Sequence, residues 1–138
     1  MKKTILALIV IMLAAVVASA QTTIDTTKYE NGTVKLITPM KDGKYHGTQK
    51  FFNQDGSLRY EYTYNNGIPD GISIFYYDSG ARYSHTVHKD GVFVENFIYN
   101  EDGSLAYVSK LEKGKCVERD SKDSVIYSAP LNIDKYCR

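Results

Sequence analysis

The sequence predicts an all-β fold, a single antiparallel meander of repeated β-hairpins. Glycines recur in two series, and both series step by 24, 24 and 23 residues. The first is Gly32, Gly56, Gly80 and Gly103, and the second is Gly43, Gly67, Gly91 and Gly114. Two series that share the same shortened step indicate one structural repeat.

Residues 58–65, which lie between two of these glycines, show why the segments between the turns are predicted to be strands. Leu58, Tyr60, Tyr62 and Tyr64 alternate there with Arg59, Glu61, Thr63 and Asn65. An alternation with a period of two residues is typical of a half-buried strand. Most of the glycines follow Asn or Asp, and these dipeptides tolerate the positive φ of tight hairpin turns.

Consecutive hairpins should pair edge to edge, because a lone hairpin cannot bury its apolar face. Two sets of residues, counted from the glycines of the first series, should then form one column across the sheet. One set lies four residues after each glycine, and the other lies nineteen residues after. The first set is Leu36, Tyr60, Ser84 and Tyr107, and the second is Phe51, Phe75 and Tyr99. We expect these columns to pack as core.

The N-terminus predicts export to the periplasm or out of the cell. Lys2 and Lys3 precede the apolar run 5–17, and Ala18-Ser19-Ala20 precedes Gln21. This is the pattern of a cleaved signal peptide over residues 1–20. The alternative is a membrane anchor, but the run is shorter than the roughly 20 residues that span a bilayer. No membrane span is therefore expected after cleavage.

Three segments should follow the signal peptide. Residues 21–28 are a polar, threonine-rich leader in which we expect weak order. Residues 29–116 carry four hairpin repeats, and residues 117–138 form a capping segment. Within this cap, residues 125–127 offer one more short strand, which Pro130 ends.

Cys116 and Cys137 are the two cysteines. In an exported chain they favour a disulfide, which would stabilise the C-terminal segment by about 3 kcal/mol. A zinc site is the alternative, but two thiols do not complete a tetrahedral site.

The charge balance excludes some partners. Of 17 basic and 16 acidic residues, cleavage removes two lysines, which leaves 15 against 16 and a net charge of −1. A nucleic-acid partner usually requires a basic excess, so none is expected. Docking on anionic lipid by charge alone is disfavoured for the same reason.

The segment KDGKYHGTQKFFNQDGSLRYEYTYNNGIPDGISIFYYDSGARYSHTVHKDG resembles the bacterial variant of the MORN repeat. The resemblance covers residues 29–115 and is strongest where Gly43 and Gly47, or Gly67 and Gly71, keep a spacing of four. At the later counterparts, Glu95 and Glu118, the close backbone approach that Gly allows should be lost. The resemblance implies a non-catalytic repeat sheet that supports protein or lipid contact. Similar proteins are often labelled antitoxins of the YwqK type, which implies a cytoplasmic role that the signal peptide contradicts.

No catalytic set or cofactor is expected. His85 and His88 are three residues apart, so on a strand they point to opposite faces and cannot readily share a metal. Most aspartates occupy turns, where they have a conformational role. Neither cysteine has a partner that marks a nucleophile.

A polar patch in the third repeat is the best candidate for a binding site. Where the other units place apolar residues, this unit has Arg82, Ser84 and His88. A register slip that buries Tyr83 and Val87 instead is the simpler explanation. A recognition surface is the functional one. The candidate binding residues are Tyr60, Tyr62, Tyr76, Arg82, Tyr83, Ser84 and His88.

Three functions remain open at this point. The leading hypothesis is a non-catalytic exported binding or scaffold protein that contacts an envelope protein or glycan through an aromatic sheet face. The second is an antitoxin or immunity protein that neutralises a toxin. The third is an envelope hydrolase with two carboxylates in a cleft, for example among Glu61, Glu95 and Asp70. The sequence leaves the oligomeric state unknown.

Overall fold

The computed structural model describes residues 21–130 and confirms the all-β fold. Twelve strands follow one another along this part of the chain. They are β1 (Thr22–Lys28), β2 (Val34–Lys41), β3 (Lys44–Tyr45), β4 (Gly47–Phe52), β5 (Leu58–Asn65), β6 (Ile68–Pro69), β7 (Gly71–Tyr76), β8 (Arg82–Lys89), β9 (Val92–Tyr99), β10 (Leu105–Glu112), β11 (Lys115–Asp120) and β12 (Val125–Pro130).

The strands form one antiparallel sheet in the predicted meander order. The path is β1-β2-β4-β5-β7-β8-β9-β10-β11-β12, while β3 pairs with β2 and β6 pairs with β5. The short strands β3 and β6 are thus the first residues of the strands that continue as β4 and β7. His46 and Asp70 mark the two interruptions.

The second glycine series forms two-residue hairpin turns, as predicted. Asp42 and Gly43 have φ angles of 50° and 75°, and Asn66 and Gly67 have 51° and 85°. Positive φ at both positions is the signature of a type I′ turn, whose twist matches that of the flanking strands. Lys113 and Gly114 repeat the geometry, although lysine is an unusual residue in this conformation.

The first glycine series forms longer turns, and the sequence analysis missed a fifth member. Gly56 donates its N–H to the carbonyl of Asn53, and Asn53 donates to Ser57. In the supposed cap, Asp123 donates to Asp120, and Asp120 donates to Ser124, in the same pattern. Asp123 takes the glycine position with φ 63°. The repeat therefore continues beyond residue 116, with Asp in place of Gly.

The expectation of weak order in residues 21–28 is wrong. This polar leader forms β1, which pairs with β2 from Thr22↔Lys41 onward, although all seven strand residues are exposed. Backbone hydrogen bonds and the β propensity of threonine hold it without apolar burial. The signal peptide 1–20 and residues 131–138 of the capping segment lie outside the described residues.

The predicted column is confirmed except at one position. The observed register runs Leu36↔Phe51↔Tyr60↔Phe75↔Ser84↔Ile98↔Tyr107, with Ile98 where Tyr99 was expected. Counting nineteen residues overshoots here because the third unit is one residue shorter. Ser84 keeps its place, so the register has not slipped.

Residue counts between paired positions show where the units shorten. Tyr45 pairs with Met40, and Lys50 pairs with Ile37. The chain thus advances five residues from Tyr45 to Lys50 while its partner β2 advances three, which makes a bulge of two extra residues. The same offset recurs between β5 and β7. Between β8 and β9 the offset is one residue, and between β10 and β11 it is zero. The bulge thus disappears step by step along the chain.

The bulges carry hydrogen bonds between neighbouring hairpins. Gly67 donates its N–H to the carbonyl of Tyr45 at 2.7 Å, and Gly91 donates to Pro69 at 2.8 Å. Gly91 also lies so close to the preceding unit that a Cβ there would stand 2.9 Å from Cγ2 of Ile68. These turns are therefore packed against one another along one end of the hairpins.

We expect Gly91→Ala to destabilise the protein more than Gly114→Ala. Both glycines have positive φ, 81° and 74°, and an alanine in this conformation costs about 1 to 2 kcal/mol. Only at Gly91 does the added methyl also meet Ile68, which should cost about 1 kcal/mol more. Urea unfolding measures both values. In an Ile68→Ala background the two penalties should become equal, and a difference that persists would contradict the contact.

Candidate functional site

The two faces of the sheet differ in composition, and we name them by β5. The front face carries Tyr60, Tyr62 and Tyr64, and the back face carries Glu61 and Thr63. Side chains directly opposite each other in the register lie on the same face. Each strand of the path can therefore be assigned from its pairing.

An aromatic row crosses the front face through β4, β5 and β7. The rings of Phe51 and Tyr60 stack in parallel with their centroids 4.9 Å apart. Tyr60 contacts Phe75 at 5.5 Å, and Phe75 is 39% exposed. Because Phe51 and Tyr60 cover each other's faces, they present ring edges rather than faces to solvent.

A second aromatic group lies beside this row, nearer the bulges. Tyr64 contacts Tyr45 at 5.3 Å and Tyr62 at 5.1 Å. Tyr62 also contacts the ring of His88 at 5.6 Å. The two groups together cover the front face of the first two units, and we call them the aromatic surface. Its rings are Tyr45, Phe51, Tyr60, Tyr62, Tyr64 and Phe75.

A row of polar residues continues across the front face through Tyr62. Its members are Thr38, Gln49, Tyr62, Ser73, Thr86, Asn96, Ser109 and Glu118. Gln49 donates to the Thr38 hydroxyl at 3.1 Å, and Thr86 donates to the Asn96 side-chain oxygen at 2.9 Å. Ser73 and Ser109 are fully buried, and their hydroxyls have no partner within residues 21–130. Larger neighbours on the same face cover these small side chains.

His88 sits at the edge of the aromatic surface, opposite Gly71. Its ring packs against Tyr62 and, edge-on at 6.3 Å, against Phe93. Its Nδ1 is buried and finds no hydrogen-bond partner in the described part of the chain. Burial holds the pKa of His88 below its ordinary value, which favours the neutral ring.

The back face mixes apolar residues with ion pairs. Glu61 accepts from Lys50 at 3.0 Å and from the Tyr76 hydroxyl at 2.9 Å. Lys110 pairs with Glu95 at 2.9 Å. Burial, followed by the hydrogen bond to Glu61, raises the pKa of the Tyr76 phenol. These contacts tie neighbouring strands together rather than converging on one point.

A separate cluster on the back face surrounds His85. This ring stacks on Phe97 with centroids 4.3 Å apart, and its Nδ1 lies 3.1 Å from the Tyr99 hydroxyl. The Arg82 guanidinium lies over the Tyr99 ring at 6.0 Å. Burial, and then the charge of Arg82, lowers the pKa of His85, while Glu95 opposes the shift. His85 and His88 thus lie on opposite faces, as their spacing predicted.

The structure does not bring all the candidate binding residues together. Tyr60, Tyr62, Ser84 and His88 share the front face, whereas Tyr76 and Arg82 contact back-face partners. Tyr83 packs edge-on against Tyr77 and is 41% exposed. Ser84 is only 4% exposed, so it cannot offer much contact to a ligand. The predicted patch is therefore two groups on opposite sides of the sheet.

The sequence analysis left Tyr45, Phe51, Tyr64 and Phe75 out of the candidate site. Phe51 and Phe75 already belonged to the predicted column, and the alternation of β5 placed Tyr64 beside Tyr62. The column and the alternation of β5 together place these rings on one face. In a sheet without a second layer, a face of this kind is exposed and can bind a partner. Among residues 21–130 no second layer covers the front face.

The carboxylates considered for a hydrolase are dispersed. Glu61 lies on β5 and Glu95 on β9, three strand spacings away, or about 14 Å. Acid pairs of glycosidases are separated by at most about 9.5 Å. Asp70 accepts hydrogen bonds from Lys89, Asn65 and the Asp90 N–H. Within residues 21–130 no three metal-ligating side chains form a group that could hold an ion.

Cys116 is nearly buried on β11, where it pairs with Leu111 and Ala129. Its predicted partner, Cys137, lies outside the described residues. The disulfide therefore stays a prediction. No helix in the described range is long and apolar enough to cross a membrane.

One repeat of the chain matches a known family. The family model described as the MORN repeat variant matches residues 45–66, which run from β3 through β5 into the following turn. This segment carries one complete bulge and most of the aromatic surface. No curated protein gives a significant sequence match to the chain.

A solved structure resembles the described sheet more loosely. It is entitled "Crystal structure of accessory secretory protein 1,2 and 3 in Streptococcus pneumoniae", and its matching chain is 13% identical with a TM-score of 0.45. The match covers 81% of this chain and 23% of that chain. The protein thus spans less than a quarter of the length of the chain that it matches.

We expect the protein to lose stability as the pH falls below about 6.5, the ordinary pKa of histidine. Folding lowers the pKa of both His85 and His88, so the unfolded chain binds more protons in that window. The stability these groups contribute is complete above about 6.5 and is lost as the pH falls toward the folded pKa. Urea unfolding at pH 7.5 and 5.5 measures the loss.

The variant His88→Met should lose less stability over the same interval. Methionine is the matched replacement because Met40 occupies the equivalent position in the first unit. An equal loss in the variant and the parent would show that His88 does not contribute to the pH dependence.

Proposed function

We propose that the protein is a non-catalytic, exported binding module that holds a protein of the cell envelope on its aromatic surface. The observation that carries the proposal is the group of six aromatic rings on the front face of the first two units. Monomeric proteins seldom leave a contiguous group of large apolar side chains uncovered without a binding role. Tyrosine and phenylalanine are also enriched at the centres of protein interfaces.

The arrangement of the rings favours a protein over a glycan. A sugar ring usually lies flat on an aromatic face, but Phe51 and Tyr60 stack in parallel and cover each other. What they expose is a ridge of ring edges. Apolar side chains of a protein can pack between such edges.

The area of the sheet is sufficient for a specific interface. Ten strands lie side by side along the path, which makes the front face roughly 40 Å wide and 20 Å long, on the order of 800 Å². A standard protein interface buries about 800 Å² per partner. The aromatic surface would form the central part, and the polar row would extend the contact toward β10.

A role without catalysis is consistent with the contacts of the ionisable groups. Glu61, Glu95 and Asp70 are each engaged by a lysine. Both lowered histidine pKa values are explained first by burial among aromatic rings. Structural packing also perturbs pKa values, so these shifts alone do not mark an active site.

The binding test compares two residues of similar exposure on opposite faces. The variant Phe75→Ala removes a front-face ring, and Ile72→Ala removes an exposed apolar side chain from the back face of the same strand. Each variant is immobilised and exposed to envelope extract. A protein retained by the parent and by Ile72→Ala should be lost with Phe75→Ala, with affinity reduced at least about tenfold.

The two alternatives give different results in this experiment. If both variants retain the same protein equally, the aromatic surface does not bind it. If the retained material is a polysaccharide that survives protease treatment of the extract, the proposed class of partner is wrong. Urea unfolding of both variants separates loss of binding from loss of fold.

Export is tested by the mass of the protein recovered outside the cytoplasm. We expect a chain that begins at Gln21 and that is two hydrogens lighter than its reduced form, because Cys116 and Cys137 are joined. An intact Met1 would contradict cleavage of the signal peptide. Two free thiols would contradict the disulfide.

A further inference from the structure

We propose that β1 is a self-association edge, through which two copies of the chain pair antiparallel and extend the sheet. β1 ends the strand path, so one of its sides is unpaired within the described residues. Unpaired strand edges are templates for pairing with another strand. The proposal does not depend on what binds the aromatic surface.

The hydrogen bonds at the start of β1 show which backbone groups face outward. Asp42 donates its N–H to the Gln21 carbonyl at 3.0 Å, so Gln21 turns its backbone groups toward β2. Hydrogen-bonded positions alternate along an antiparallel pair. The even-numbered residues Thr22, Ile24 and Thr26 therefore point their N–H and C=O groups away from the sheet.

A second bond fixes this register. The backbone N–H of Gln21 donates to the Asp42 carboxylate at 3.0 Å, which holds the first residue of the edge against the first type I′ turn. β1 is unbroken from Thr22 to Thr27, with its one irregularity between Thr27 and Lys28. The edge thus offers a regularly paired segment of six residues without proline.

Charge and the number of backbone hydrogen bonds together select one pairing among those that the outward groups allow. A two-fold axis at Ile24 places Thr22 opposite Thr26, Ile24 opposite itself and Thr23 opposite Asp25. An axis at Asp25 would place two carboxylates directly opposite each other, which is destabilising. An axis at Thr26 would draw Lys28 and the irregularity into the pairing. An axis at Thr23 would pair only Thr22 with Ile24 and would form four backbone hydrogen bonds. The axis at Ile24 forms six, with no pair of like charges.

This pairing is closed and joins equivalent faces. The axis runs perpendicular to the sheet, so the front face of one copy continues into the front face of the other. The Ile24 side chains, each 69% exposed in the single chain, meet across the axis on the back face. An isologous contact of this kind stops at two copies.

The occupant we infer is therefore a second copy of this chain. β12 is the other edge of the sheet that residues 21–130 form, and its Pro130 lacks an N–H to donate. Pairing of β1 with β12 of another copy would be heterologous and would produce an open series of copies rather than a dimer.

The test uses the processed full-length protein in sedimentation equilibrium. We expect the mass to rise from one chain to two with concentration and not beyond. The variant Ile24→Pro should remain at one chain, because it removes an outward N–H that β2 does not use. The control Ile24→Thr keeps that N–H and should still form dimers. A single-chain mass for the parent at concentrations up to about 1 mM, or masses above two chains, would overturn the proposal.

A crosslink reports the position of the axis. Under oxidising conditions Ile24→Cys should form a disulfide-linked dimer, since directly paired residues have Cα atoms within the range that a disulfide spans. Thr26→Cys is the matched control, because its counterpart across the axis is Thr22 rather than Thr26. Equal crosslinking of both variants would show that the pairing is not centred on Ile24.

Discussion

Every strand in the described sheet depends on its lateral neighbours, because there is no second layer against which either face could pack. Among residues 21–130, the buried apolar residues are only Ile98, Cys116 and Val117. Stability must therefore come from backbone ladders and from cross-strand side-chain pairs. This constraint explains why the turns are so regular. A turn that shifted the register by one residue would break every column at once.

The bulges are the second consequence of this constraint. In the first two units a two-residue bulge brings the turn of one hairpin against the next, and Gly67 and Gly91 donate hydrogen bonds across that contact. In the third and fourth units the bulge shortens and then vanishes. Among residues 21–130 no equivalent bond joins Gly114 to the preceding hairpin. The aromatic surface and the match to the MORN repeat variant both fall in the part of the sheet that keeps the bulges.

At the opposite ends of the hairpins, two hydrogen-bond patterns alternate from one unit to the next. Tyr29 and Tyr77 donate their hydroxyls to carbonyls of the next unit, at Phe52 and Tyr99, both at 2.8 Å. The equivalent residue of the intervening unit, Asn53, bonds instead to Ser57 within its own turn. Tyr and Asn thus take turns along the repeat, and each tyrosine reaches a turn that is closed by an asparagine.

The sequence predicted the fold because the turn glycines and the alternation of β5 both report the backbone directly. It did not predict the details of register, which depend on the number of residues between successive turns. Tyr99 was placed in the column because the missing bulge residue could not be located, and β1 was missed because it has no apolar face. The fifth turn was missed because Asp123 stands where a glycine was sought. The candidate site was divided because Tyr76 and Arg82 lie on the back face, a sidedness that only the register reveals.

The cross-strand register in solution tests the single-layer meander most directly. Nuclear Overhauser contacts between backbone protons should link Tyr60 with both Phe51 and Phe75, and should link Ser84 with both Phe75 and Ile98. This set would confirm one sheet in which the polar Ser84 keeps the column position. Contacts of Phe75 with Tyr83 in place of Ser84, or of Ser84 with Tyr99 in place of Ile98, would contradict the account.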